Sequence, residues 1–247
     1  MQKLANKLKR LFAPPSKKER RWADIGENDR EMIQAARPYT MTSRERLYAL
    51  VQSVQYISRY QIEGDIVECG VWKGGSMLVA AKKLVECNDL SRQLWLYDTF
   101  EGMPEPGKDD VSRKGEKAAE VFSKTRNSAG GSEWCRSPLD EVKGVLGSSG
   151  YPVEKFQYIK GKVEETIPGE MPERISILRL DTDWYASTRH ELIHLFPRLV
   201  RGGILLLDDY GYWQGSRKAV DEYFAEHPLP ILLTRIDSSG RIAVKPF

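Results

Sequence analysis

Four aspartates stand where two short apolar runs end. Ile175–Leu180 leads into Asp181, Thr182 and Asp183, and Ile204–Leu207 leads into Asp208 and Asp209. Runs of this length and composition read as strands buried on both faces. Open α/β sheets bind ligands beyond the carboxyl ends of their strands. If the two strands are neighbours, Asp181, Asp208 and Asp209 converge. Carboxylates packed together repel unless a cation joins them. An all-oxygen set suits Mg²⁺, or another hard divalent cation such as Ca²⁺ or Mn²⁺, better than zinc. Solvated turn residues would account for any one of these acids, but poorly for four.

A second group lies at Asp65–Ser76, D-I-V-E-C-G-V-W-K-G-G-S. A strand ends at Glu68 and Cys69. Gly70, Gly74, Gly75 and Ser76 then lead into a helix expected over Met77–Leu84. Glycines there let the backbone turn sharply and approach a ligand, and the helix start offers unpaired N–H groups. The spacing is not the dinucleotide fingerprint G-x-G-x-x-G, because Val71 and Trp72 follow Gly70. One βα unit later Asp98 ends the strand Leu94–Tyr97, where an acid can bind the hydroxyls of a ribose. Those features indicate a nucleoside, which NAD and S-adenosylmethionine share. Glu68 beside the turn suits a cationic ligand better than a pyrophosphate, and so favours S-adenosylmethionine. Two other readings compete: an NAD-dependent oxidoreductase of Rossmann fold, and a non-catalytic binding protein of the same fold. The first leaves the carboxylate group unexplained, and the second has no use for it. His190 and His194 lack the glutamate and third ligand of a zinc motif. No serine-centred nucleophile elbow is present.

These residues need a scaffold that brings strand ends together. Thr42 or Ser43 can cap a helix over 42–60, with an apolar stripe of Leu47, Leu50, Val51, Val54 and Ile57. Strands are expected at Asp65–Cys69, Leu94–Tyr97, Phe156–Ile159, Ile175–Leu180 and Ile204–Leu207. Helices alternate with them, one running from Asp183 through Leu199 and one over Ser216–Ala225. Ile231–Ile236 and Arg241–Val244 follow as β-rich pieces. The pattern predicts an α/β fold: a Rossmann-like, doubly wound, mostly parallel sheet with an antiparallel C-terminal edge. Residues 23–247 form one domain in this reading, with a lid or insertion around 104–150, where Gly, Ser, Lys and Glu are frequent and periodicity is weak.

The 247 residues, 40% hydrophobic and 30% charged, fit one large domain. The net charge of +3 is unevenly distributed. Residues 1–22 carry eight Lys/Arg and one acid, so the remainder is mildly acidic, which argues against a nucleic-acid partner. Leu4, Leu8 and Leu11 lie at helical spacing among lysines. The segment could rest on an anionic membrane surface or be a frayed terminal helix. Pro14, Pro15 and Ser16 read as linker. There is no apolar run of spanning length and no secretory h-region. Three scattered cysteines suit a reducing compartment. The expected location is cytoplasmic, with peripheral contact to the inner membrane face and a homodimer left open.

In combination, Y-T-M-T at 39–42, V-E-C-G-V-W-K-G-G-S at 67–76, Y-D-T-F-E-G-M-P at 97–104, L-D-T-D-W-Y-A-S-T at 180–188 and G-G-I-L-L-L-D-D-Y-G at 202–211 resemble the macrocin O-methyltransferase (TylF-type) family. The resemblance covers roughly residues 38–225. It implies a metal-dependent O-methyltransferase that moves a methyl group from S-adenosylmethionine to a sugar hydroxyl of a glycosylated natural product or surface glycan. It implies that Thr40, Met41, Glu68, Gly70, Val71, Trp72, Gly74, Ser76, Asp98 and Thr99 line the cofactor site. Gly161, Lys162 and Val163 would lie near the adenine. Asp181, Asp208 and Asp209 would hold Mg²⁺, and Asp183 would be the general base. Trp184, Tyr185, Tyr212 and Trp213 flank the acids and could stack on a sugar or pack the core.

Overall fold

Period-two alternation builds the centre of the molecule. The structure, a computed structural model, describes residues 22–127 and 131–246. The basic head at 1–21 lies outside the described residues. Five parallel strands, β1 (Asp65–Cys69), β2 (Leu94–Asp98), β3 (Phe156–Lys160), β4 (Ile175–Leu180) and β5 (Leu199–Leu207), are joined by β6 (Thr234–Arg235) and β7 (Arg241–Val244). The sheet order is β3-β2-β1-β4-β5-β7-β6, and β7 runs antiparallel to both β5 and β6. The expected mostly parallel sheet with an antiparallel C-terminal edge is present.

Alternate side chains of each strand point to opposite faces. Ile66, Ile177, Ile204 and Leu206 enter one core, against α1 (Glu27–Ala36), α2 (Arg44–Arg59), α3 (Gly75–Glu86) and α5 (Leu139–Gly147). Val67, Leu178, Leu205 and Leu207 enter the other, against α6 (Val163–Thr166), α7 (Tyr185–Leu195) and α8 (Gln214–Glu226). Both faces are covered, as a parallel sheet requires.

Residues 104–150 divide into two parts. Val142 and Leu146 of α5 belong to the first core. The other part, with α4 (Ala118–Thr125), packs through Ala118 on Trp184 and Trp213. Buried Asp110 anchors it by accepting the N–H groups of Tyr185 (2.8 Å) and Gly107 (2.7 Å).

Elements also depart from expectation in ways that have a physical reason. The helix after β4 stops at Leu195, because Pro197 sits in a short 3₁₀ turn and Leu199 already pairs with Ile175 in β5. Of Ile231–Ile236 only Thr234–Arg235 pairs; Pro228 and Pro230 remove donors just upstream. Helix α1 was not expected: only Ile33 and Ala36 of it are buried, too few for a visible stripe.

Candidate functional site

The strand order reverses between β1 and β4, the crevice where such sheets bind ligands. A cavity of about 490 Å³ opens there, within the range of small-molecule sites. Thr40, Met41, Gly70, Val71, Trp72, Ser76, Asp98, Thr99, Gly161, Lys162 and Val163 all line it, as do Asp181, Asp183, Asp208 and Asp209. Glu68 and Gly74 do not. Glycine is obligatory at position 70: its φ is +83°, and a Cβ would meet the Asp181 carbonyl oxygen at 2.0 Å.

Register explains the convergence. Leu180 pairs with Cys69 on one side and Leu207 on the other. Asp181 N–H then donates to the Cys69 carbonyl and Asp208 N–H to the Leu180 carbonyl, each at 2.9 Å. The acids therefore stand side by side, one residue past paired strand ends. Asp181, Asp208 and Asp209 each offer an oxygen within 4.8 Å of the others. Asp183 has a φ of +68°, which L residues rarely adopt. That turn aims its carboxyl at Asp209 and Trp213. Burial, then the negative charge of Asp181, pushes the Asp183 carboxyl up to about 7. Burial raises Asp181 and Asp209 as well.

Two acids have partners that the sequence did not reveal. Glu68 is buried, and its Oε1 accepts from Arg179 Nη1 at 2.6 Å. Among the described residues its Oε2 has no hydrogen-bond partner, and burial pushes the carboxyl up to about 7. One oxygen of this acid is thus taken by Arg179, a cation of the chain itself. Asp98 reaches the cavity, but its Oδ2 accepts the N–H groups of Val71 (2.7 Å) and Trp72 (3.0 Å), and its Oδ1 that of Phe100 (2.7 Å). Its carboxylate pins the glycine turn to β2, and Oδ1 also accepts from the Thr99 hydroxyl at 3.4 Å.

Arg179 and Arg46 are the main residues that motif reading missed. Arg179 is buried; Nη1 also reaches Asp181 Oδ2 at 2.8 Å, and Nη2 reaches Asp208 Oδ1 at 2.6 Å and Thr42 Oγ1 at 2.7 Å. A guanidinium inside the apolar run I-S-I-L-R-L had to find acids at that depth, and that was the available signal. Arg46, from the first turn of α2, holds Asp208 Oδ2.

The aromatic residues separate. Trp184 is buried, with its indole N–H donating to the Pro104 carbonyl. Tyr185 donates to Glu222 and does not line the cavity. Tyr212 and Trp213 do line it, joined by Met103 of the 97–104 motif and by Arg113, Trp134 and Cys135 of the insertion, for which the sequence offered no pattern.

A doubly wound sheet with this strand order and a cavity at its switch point defines an α/β enzyme of the methyltransferase fold. The O-methyltransferase NovP superposes with a TM-score of 0.72 at 28% identity, over 85% of this chain and 83% of that one. The calicheamicin methyltransferase CalS11 shares the fold at 17% identity, with a TM-score of 0.59 over 95% of each chain. The family model described as macrocin-O-methyltransferase (TylF) matches residues 5–244. The chain belongs to this family and is an O-methyltransferase. It is 31% identical over 202 residues to the 8-demethyl-8-(2,3-dimethoxy-alpha-L-rhamnosyl)-tetracenomycin-C 4'-O-methyltransferase of Streptomyces olivaceus, covering 82% of this chain and 74% of that protein. The mycinamicin III 3''-O-methyltransferase of Micromonospora griseorubida is 29% identical over 202 residues, 82% of this chain and 76% of the relative. The demethyldecarbamoylnovobiocin O-methyltransferase of Streptomyces niveus is 29% identical over 206 residues, 83% and 75%. Family membership sets aside the oxidoreductase and the non-catalytic readings.

Proposed function

We propose that this chain transfers the methyl group of S-adenosylmethionine to a sugar hydroxyl of a glycosylated small molecule or glycan, with a divalent cation held by Asp181, Asp208 and Asp209. The observation that carries this reading is one cavity containing both the glycine turn with Asp98 and, on its floor, three carboxylate oxygens within 4.8 Å of one another. That hard, all-oxygen set fits Mg²⁺. Thr40, Met41 and Gly70–Trp72 form the wall for the methionine end of the donor, and Gly161–Val163 form that for its adenine. Gly74 and Glu68 shape this wall from behind, one as the left-handed residue before α3 and one as the partner of Arg179. When bound, the donor supplies an electrophilic methyl group on a sulfonium, and the cation supplies Lewis acidity that lowers the pKa of a neighbouring hydroxyl.

The chain's own residues do the rest. Trp134, Tyr212 and Trp213 offer flat apolar faces to a sugar ring and exclude water. Asp183 accepts the acceptor hydroxyl proton on its carboxylate as oxygen attacks the methyl carbon. A carboxyl already pushed up to about 7 is a competent base near neutral pH. Alignment of the two substrates supplies up to about 7–11 kcal/mol.

The test measures methyl transfer to a glycoside acceptor alongside binding of S-adenosylhomocysteine by thermal shift. Asp209→Asn and chelator-treated enzyme should each lose transfer by orders of magnitude while binding the thioether normally. Asp183→Asn should lose about 10²- to 10⁴-fold while keeping cation affinity. Wild-type turnover in EDTA would remove the cation from the reading, and full activity of Asp183→Asn would remove the base.

A further inference from the structure

Asp208 is held by two arginines, and they are not equivalent. Arg179 reaches Oδ1 from inside the sheet; its side chain is 3% exposed and is also bound to Glu68, Asp181 and Thr42. It cannot leave without stranding several buried polar groups. Arg46 reaches Oδ2 from the cavity wall, with 16% of its side chain exposed. Its Nε is bound to a second carboxylate, Asp237 Oδ2 at 3.1 Å, and to the capping hydroxyl of Ser43 at 3.3 Å. Arg46 therefore has a second carboxylate to take its charge and room at the cavity wall to move; Arg179 also pairs with Glu68 and Asp181, but those contacts fix it inside the sheet. A divalent cation at Asp208 must take an oxygen already bound to a guanidinium, and only Oδ2 can be released cheaply.

We propose that Arg46 is a displaceable internal counter-ion of the acidic floor. It neutralises Asp208 before the metal arrives, competes with the metal for Oδ2, and is shed onto Asp237 when the metal binds. This rests on the reading that Asp181, Asp208 and Asp209 hold a cation. The exchange breaks one ion pair and forms one coordination bond, with no proton required. It keeps the buried acids from repelling one another in the empty protein. It also links metal loading to the N-terminal turn of α2, whose preceding residues Thr40–Thr42 form part of the donor wall.

Removing the competitor should tighten metal binding, whereas removing its alternative resting place should weaken it. Mn²⁺ is titrated calorimetrically into the chelator-stripped full chain. Arg46→Gln should lower the Mn²⁺ dissociation constant by about 5- to 150-fold, the usual span of coupled sites. Asp237→Asn should raise it, because the whole guanidinium charge then falls on Asp208. A merely structural role for Arg46 would weaken binding in both variants. Tight uptake by wild type with equal or weaker uptake by Arg46→Gln overturns the counter-ion role alone. No uptake by wild type overturns the metal reading and the counter-ion with it. If Arg46→Gln does not fold, Arg46→Lys decides, because the shorter cation cannot hold Asp208 as the guanidinium does: uptake tighter than wild type supports the exchange, and equal or weaker uptake overturns it.

Discussion

The two halves of the cavity are made differently. The half proposed for the donor is centred on one short segment: Gly70, Val71, Trp72 and Ser76 belong to a single turn and the helix start after it, and Asp98 ties that turn to the next strand through backbone N–H groups. The half proposed for the acceptor is built from pieces distant in sequence. Trp134 comes from the insertion, Trp213 from the loop after β5, and Trp184 from behind, with ring centroids 5.0–6.2 Å apart. Backbone geometry holds the first half, and side-chain packing holds the second. A backbone cradle serves a ligand that does not change, whereas packed aromatic side chains can be exchanged for another acceptor without disturbing the sheet. Loops commonly carry specificity for this reason.

Substitutions should expose that difference. Gly70→Ala should do the most damage, because the new Cβ has a backbone atom, the Asp181 carbonyl oxygen, 2.0 Å away and cannot relax it aside. Urea unfolding should show a loss of roughly 3 kcal/mol or more, with S-adenosylhomocysteine binding lost as well. A stable, binding-competent Gly70→Ala protein would break the claim that backbone fit defines the donor half. Trp134→Ala should act on one half alone. KM for the acceptor should rise about tenfold, the scale of losing one aromatic contact, with affinity for S-adenosylhomocysteine unchanged. Equal losses on both sides would show that the halves are coupled through the tryptophan cluster.

The smallest effect concerns pH. In metal-free protein, burial pushes both Glu68 and Asp183 up to about 7. The folded chain then binds more protons than the unfolded chain between their ordinary values and about 7, so stability falls as pH rises through that window. The thermal midpoint in EDTA should drop by several degrees between about pH 4.5 and 7.5. Asp183→Asn should flatten the curve, and a midpoint that rises across this range would contradict the burial of these acids.

The sheet, its parallel core and the strand-end acids were legible along the chain because each is written in local pattern. Apolar runs such as Ile175–Leu180 and Ile204–Leu207 need burial on both faces, and such strands can only end at a loop, where Asp181 and Asp208 stand. The glycine turn was legible because only glycine tolerates position 70. Helix α1 was not, because its two buried residues leave no stripe. Neither was the true partner of Glu68, which register alone decides: β1 and β4 bring it opposite Arg179 on the same face. The same holds for Asp208, whose two arginines come from β4 and α2. Composition and spacing determined that acids would gather at the end of this sheet. Which cations meet them, and which of those can let go, depended on pairings between separate segments, with Glu68 and Arg179 111 positions apart and Arg46 and Asp208 162 apart, a property no single segment of the chain contains.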